Sequence, residues 1–403
     1  MNSVSFSPST GPLSGLRVVE LGQLIAGPFA AKTLADFGAE VIKIEPPGSG
    51  DPLRQWRLLK DGTSVWWQVQ SRNKRSLAMD LKTPEAQDIV RQLARDADVL
   101  IENFRPGAME AWGLGPDDLL ALNPRLIMLR ISGYGQTGPY RDKPGFGVVA
   151  EAMSGLRHLT AEPGRVPVRV GVSLGDTLAS LHGVIGILMA LHERERSHKG
   201  QVIDVALYEA VFNCMESLLP EYSAFGAVRQ AAGSALPGIA PSNAYRCNDG
   251  YVLIAGNGDS IFKRLMHALG RDDLGLDPAL KDNAGRVQRV QDIDAAIGAW
   301  TAERSVTQVL EVLDQAEVPA GRIYTVADIA ADPHYQARGM IAQVQMSDGS
   351  PLAVPGIVPK LSRTPGNHRR NAPALGQDTV EVLSGMGLSM DQIQSLKDKG
   401  IVA

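Results

Sequence analysis

LRVVELGQLIAGPFAAKTLADFGAEVIKIE, from Leu16 to Glu45, is the stretch that decides the fold. Leu16–Leu21 is a short aliphatic run that suits a pleated, buried surface. From Pro28 to Phe37 every residue tolerates a helix, and the proline falls in the first turn, where its missing N–H costs nothing. Gly38 stops the helix, and Ala39–Glu45 reads as a second strand. Two strands joined through a helix run parallel, with a right-handed crossover.

The same unit recurs downstream. Thr83-Pro84-Glu85 supplies an N-cap, a proline at the first helical position and an acid in the first turn. Ala86, Ile89, Val90, Leu93, Ala94 and Ala97 then fall on one helical face. Strands follow from Asp98, from Arg125 and, as a further candidate, over Gln201–Leu207. Alternating strands and helices predict an α/β fold around an open parallel sheet. Ligands of such sheets sit beyond the carboxyl ends of the strands, so the loops after Leu21, Glu45, Glu102 and Ile131 are the ones to inspect.

Leu178–Leu191 is apolar nearly all round and reads as a buried helix, too short at about 14 residues for a membrane span. From about Phe225 to Ser242 the composition shifts to Gly, Ala and Pro, the signature of a linker or long loop. Tyr251–Ala255 and a run of short helices predict a smaller α+β domain to about Val326. Over the whole chain of 403 residues, 44% are apolar and 21% charged, which excludes a disordered chain, a collagen-like repeat and a coiled-coil rod. A net charge of −4 argues against a general nucleic-acid binder. Cys214 and Cys247 cannot make a disulfide framework or a four-thiolate zinc site, and they fit a reducing cytoplasm. The first dozen residues lack the basic start and apolar core of a secretory signal and read as a tail.

Four motifs carry chemistry. Gly133-Tyr134-Gly135-Gln136-Thr137-Gly138 matches G-x-G-x-x-G after a strand, but a dinucleotide fingerprint must open a helix, and Pro139–Pro144 is poor helix material. Gly171-Val172-Ser173-Leu174-Gly175 matches the nucleophile elbow, with Pro167–Val170 as the strand it needs and Asp332, His334 or His368 as later partners. Asp176 follows directly. The bland reading is a helix N-cap; the functional one is a carboxylate steadied by a helix N-terminus and able to carry an acyl group as an anhydride. The segment 41–75 holds seven cations (Lys43, Arg54, Arg57, Lys60, Arg72, Lys74, Arg75) against Glu45, Asp51 and Asp61, which reads as a solvated face or a surface for a phosphorylated ligand. The histidines show no metal spacing, His182 reads as a satisfied core residue, and no P-loop occurs, so neither a metal nor ATP is expected.

Several stretches together resemble the class III CoA-transferases, the family of formyl-CoA transferase and carnitine CoA-transferase. They are 13–54, NKRSLAMDLKTPEA from Asn73, DVLIENFRPGAMEAWGL from Asp98, NPRLIMLRISGYGQTGPYRDKPGFG from Asn123, and GVSLGDTLASLHGVIGILMAL from Gly171. The resemblance implies an interlocked homodimer in which each chain has a large Rossmann-like, CoA-binding domain and a smaller one. Residues 1–224 and 331–403 would form the large domain and 225–330 the small one. It implies Asp176 as nucleophile. It further implies CoA contacts from Ile25, Ala26, Asn73, Lys74, Arg75, Asn103, Phe104, Arg105 and Phe146. Where formyl-CoA transferase places two arginines, this chain has Pro46 and Ala111, so Arg105 or Lys43 is expected to hold the adenosine end.

The segment Gly233–Tyr245 resembles transferases acting on succinyl-CoA and short dicarboxylates, which implies Gly238 and Ile239 on the substrate side. Coenzyme A is then a substrate and product, with no tightly bound cofactor, and the partners are an acyl-CoA and a small carboxylic acid, not nucleic acid or membrane. An α-methylacyl-CoA racemase is the first alternative, but its G-H-D histidine is Phe146 here, and phenylalanine cannot shuttle a proton. A serine acyl hydrolase using Ser173 is the second, and a non-catalytic binding module the third.

Overall fold

The computed structural model describes residues 11–60, 62–346 and 348–403. Asp61 and all but the last two residues of the expected N-terminal tail lie outside the described residues. The chain divides into two compact units. The first takes the described residues to Leu156, then Val170–Phe225 and Gln336–Ala403. The second takes Arg157–Arg169 and Gly226–Tyr335.

The first unit is built on six strands: β1 (Arg17–Glu20), β2 (Glu40–Glu45), β3 (Lys74–Ala78), β4 (Val99–Glu102), β5 (Ile127–Ser132) and β6 (Val202–Ala206). They pair in the order β3-β2-β1-β4-β5-β6, every pair parallel. The order reverses between β1 and β4, where Val19 lies level with Leu100. That reversal is the switch point at which a doubly wound sheet opens a crevice.

Successive residues of a strand point to opposite faces, and both faces are apolar. Val18, Val41, Val99 and Leu129 pack under α1 (Ala26–Asp36) and α4 (Leu174–Ser197). Val19, Ile42, Leu100 and Met128 pack under α2 (Pro84–Asp96) and two helices from the end of the chain, α5 (Thr379–Gly385) and α6 (Met390–Asp398). Thr83 caps α2 by accepting from the Ala86 N–H. Gly183 and Gly186 let α4 approach the sheet, since a β-carbon on either would lie within 3 Å of Leu129 or Ile203.

Two expectations change here. The helix forecast over Leu178–Leu191 is buried on one side only; Leu181, Ile185, Leu188 and Met189 are exposed on the other. It also runs for 24 residues, so among the described residues it is the one helix long and apolar enough to cross a membrane by length and composition. And the segment 41–75 is neither a solvated face nor a phosphate surface at most of its cations: Lys43, Arg54, Arg72 and Lys74 are buried and paired with Glu20, Glu45, Asp51 and Asp36.

The end of the chain is stitched to the β3 edge. Asn73, in a left-handed conformation at φ 64°, accepts from the N–H groups of Arg369 and Arg370 and donates to the Asn367 carbonyl. Ser76 N–H donates to Asp378 and Arg54 to the Pro373 carbonyl.

The second unit has an antiparallel sheet, β7 (Ser242–Arg246), β8 (Tyr251–Ala255) and β9 (Ala320–Arg322), in the order β9-β8-β7. Val252 and Ile254 pack with Phe262, Leu265, Ile293, Ile297, Val309 and Leu313 from its helices. No helix or strand occurs over 226–241.

Candidate active site

Four segments of the first unit meet at the switch point and line one cleft of about 300 Å³. They are the loop after β1 (Gln23–Ala26), the loop after β4 (Asn103–Pro106), the loop after β5, and the first turn of α4 with Asp176. Each loop leaves the carboxyl end of a strand, as the open-sheet rule requires.

Buried ions hold the loops from beneath. Lys43 Nζ lies 2.9 Å from Glu20 and 2.8 Å from Asp51 and donates to the Gly22 carbonyl at 2.7 Å. Asp51 accepts from the Leu24 N–H. Burial disfavours the Lys43 charge, but Asp51, Glu20 and Glu45 outweigh it and keep the ammonium above the usual lysine range. Burial likewise raises the Asp51 and Glu45 carboxyls; Lys43 acting on Asp51, and Arg54 with Lys43 acting on Glu45, bring both below their ordinary values. Lys74 lies on the other oxygen of Glu20 at 2.8 Å and on the Pro28 carbonyl, and burial lowers its ammonium to about 8 against the pull of Glu20. Under the second loop, Arg130 lies 2.7 Å from Glu102, which also accepts from the Phe104 N–H. Burial raises the Glu102 carboxyl in spite of that arginine.

Asn103 couples the two loops across the reversal. Its Oδ1 accepts from the Gln23 N–H at 2.7 Å and its Nδ2 donates to the Gln23 carbonyl at 2.9 Å. The glycines of the G-x-G-x-x-G run serve the third loop. A β-carbon on Gly133 would lie 2.9 Å from the Gly145 α-carbon, so the loop pinches shut there. The next helix, α3 (Gly147–Met153), begins far beyond the run, and the dinucleotide reading fails on that geometry.

Asp176 is not an N-cap. The helix starts two residues earlier, with Ser173 in the cap position, and Asp176 sits half-buried in the first turn. The carboxylate lies against Gly147, where a β-carbon would come within 2.9 Å of its Cγ. Buried Glu151, one turn along α3, accepts from the Gly175 N–H at 3.3 Å. Ser180, one turn beyond Asp176, places its hydroxyl 2.7 Å from the Ala26 carbonyl. The first turn of α4 is thereby fixed against both α3 and the loop after β1.

Ile25, Ala26, Asn103, Phe104, Arg105, Phe146 and Asp176 all line this cleft. Asn73, Lys74 and Arg75 do not. The polar groups of Asn73 hold the end of the chain, Lys74 is fully buried, and Arg75 pairs with Glu381. Lys43, expected as a candidate for the adenosine end, is wholly buried. Gly238 and Ile239 belong to the second unit. The elbow reading of Ser173 loses its strand, since no strand forms over Pro167–Val170. Asp332 accepts from Tyr324 and caps the turn at His334, and His368 lies on Asn371.

Sequence reasoning missed Arg141 and Lys143, exposed cations in the loop after β5 that line the same cleft. Their signal was present: an R-D-K run beyond the carboxyl end of a strand. No group of three or more His, Cys, Asp or Glu able to hold a metal ion occurs among the described residues.

Comparison with known proteins places the chain among its relatives. Residues 13–379 match CoA-transferase family III. A succinyl-CoA–D-citramalate CoA-transferase of Chloroflexus aurantiacus is 47% identical over 394 residues, covering 97% of this chain and 98% of that protein. The beta subunit of a succinyl-CoA–L-malate CoA-transferase from the same bacterium is 41% identical over 400 residues, covering 98% and 99%. The crystal structure of a CAIB/BAIF family protein from Brucella suis matches with a TM-score of 0.82 at 36% identity, over 94% of this chain and 100% of that one.

Proposed function

The chain belongs to CoA-transferase family III, and from that premise we propose that it moves coenzyme A from succinyl-CoA to a small carboxylic acid, with Asp176 as the nucleophile. The observation that carries the reading is the placement of Asp176. It is the carboxylate of a helix's first turn, opening onto a switch-point cleft beside Ile25, Ala26 and exposed cations. The substrate class rests on the relatives that act on succinyl-CoA with D-citramalate or L-malate.

An Asp176 oxygen attacks the thioester carbon, the C–S bond breaks, and a succinyl–aspartyl anhydride forms with CoA thiolate as leaving group. The thiolate attacks the aspartyl carbonyl and releases succinate, leaving an aspartyl-CoA thioester. The acceptor carboxylate displaces the thiolate to give a second anhydride. Attack of the thiolate on the acceptor's carbonyl yields the new acyl-CoA and frees Asp176. One thioester replaces another, so the cycle needs no ATP. Water must be excluded while an anhydride exists.

Arg105, Arg141 and Lys143 are suited to the CoA phosphates. Ile25, Ala26, Asn103, Phe104 and Phe146 would shape the wall beside them. Gly238 and Ile239 are retained on the substrate side from their resemblance to dicarboxylate transferases. The exposed apolar side of α4 supports a homodimer; the separate alpha and beta subunits of the malate relative make a pair of unlike chains the second reading. The two cysteines, both free thiols, fit a cytoplasmic setting.

An acceptor screen with succinyl-CoA, read by the mass of the new thioester, tests the reading. Transfer to D-citramalate, malate or a similar acid is expected; hydrolysis alone would favour the Ser173 reading. Asp176→Ala should abolish transfer and Ser173→Ala should retain much of it. Hydroxylamine should trap the acyl group on Asp176 during turnover.

A further inference from the structure

We infer that Asp51 is a positioning residue of the cleft, holding Leu24 in a left-handed backbone conformation that presents the loop after β1 to the CoA thioester; this rests on the reading of the cleft as the CoA site. Leu24 has φ 63°. For a side chain other than Gly, Asn or Asp this region is disfavoured, because the β-carbon crowds the following carbonyl oxygen. The surroundings must therefore hold it there, and strain of this kind persists where structure over-determines a functional segment.

The restraint is visible. The Leu24 N–H points at both oxygens of Asp51, at 3.0 and 3.2 Å. Asp51 is itself fixed by Lys43 Nζ at 2.8 Å and by the Leu53 N–H at 2.9 Å, and it is 1% exposed. The same lysine grips the Gly22 carbonyl, and Asn103 grips both backbone groups of Gln23. Three consecutive residues, Gly22 to Leu24, are thus held from β2, from the segment that follows it and from the loop after β4. Gln23, Leu24 and Ile25 line the cleft; Asp51 and Lys43 do not, so any effect of theirs passes through the loop.

The test uses the full-length chain and CoA itself, by calorimetry, together with steady-state transfer. Leu24→Val leaves Asp51 and Lys43 intact but puts a β-branched residue in the left-handed region. It should raise the Kd for CoA and the KM for the acyl-CoA about tenfold, with kcat changed less than about threefold and the melting temperature unchanged. Asp51→Asn should raise KM in the same way, and Leu24→Gly added to it should restore most of the loss, because glycine takes this conformation without strain. Leu24→Val that binds CoA like the wild type overturns the inference while leaving the CoA reading intact. Failure of Leu24→Gly to rescue a folded Asp51→Asn also overturns it, and if Asp51→Asn does not fold, Leu24→Val alone decides. Wild-type protein that does not bind CoA overturns the cleft reading itself.

Discussion

The Asp176 carboxylate rests against the α-carbon of Gly147, with no room between them for a methyl group. Asp176 comes from α4 and Gly147 from the start of α3, so the glycine serves as the seat of a side chain from another helix. Gly147→Ala should therefore displace the carboxylate without disturbing the core. On the nucleophilic role proposed for Asp176, transfer should fall about 100-fold, a loss that misplacement of a reacting group by about 1 Å can cause. Thermal melting should stay near wild type, and the two measurements together separate misplacement from unfolding.

Arg141 and Lys143 are exposed on the loop after β5 and line the cleft proposed for the CoA thioester. Replacing either by alanine should raise the KM for the CoA thioester about five- to tenfold and leave kcat within a factor of about two, as loss of a charge-assisted phosphate contact does. Raising the salt concentration should weaken binding in the wild type and less so in the double variant. Equal salt dependence in both would assign the phosphates to other residues.

The apolar side of α4 makes a separate prediction. Leu181, Ile185 and Leu188 recur at helical spacing and are exposed in the single chain. Ile185→Glu should shift the protein from dimer to monomer in light scattering behind size exclusion. A wild-type protein that is already monomeric at micromolar concentration would count against the dimer.

Acid should reveal the buried ions. The Asp51 carboxyl ionises below its ordinary value of 3.8 when folded, because Lys43 outweighs burial. The unfolded chain thus binds more protons near that pH, so the stabilisation is complete well above 3.8 and disappears as pH falls through the folded value. Urea midpoints should place wild type above Asp51→Asn at pH 7, with the gap narrowing as pH falls below the ordinary carboxyl value of 3.8. Comparing the two proteins removes groups such as Glu102, whose shift has the opposite sign in both.

What the sequence could tell depended on the range of the interactions. The βαβ units were legible because caps, prolines and apolar spacing act within a few residues, as Thr83 and Ile89 show. The loops of the cleft were legible too, since they follow strand ends. The charge balance of 41–75 misled because Glu20, which pairs with Lys74 and shares Lys43 with Asp51, and Asp36, which pairs with Arg72, both lie outside that window. The exposed side of α4 was illegible for a different reason: a helix apolar on every side carries no mark of which side meets the sheet. Gly183 and Gly186, the small residues that allow the approach, were the only local clue. The start of α4 was placed late because Ser173, which stands at its cap position, also reads as part of the elbow motif.

Asn73 grips backbone that the ribosome makes nearly 300 residues later. While the second unit is being synthesised, roughly 5–20 s at ordinary elongation rates, the nascent sheet has an unfinished edge and an uncovered apolar face. The second unit, finished by Tyr335, can collapse first. Newly made protein should therefore be most prone to aggregation, and most dependent on chaperones, until Asn367–Arg370 and then α5 and α6 emerge.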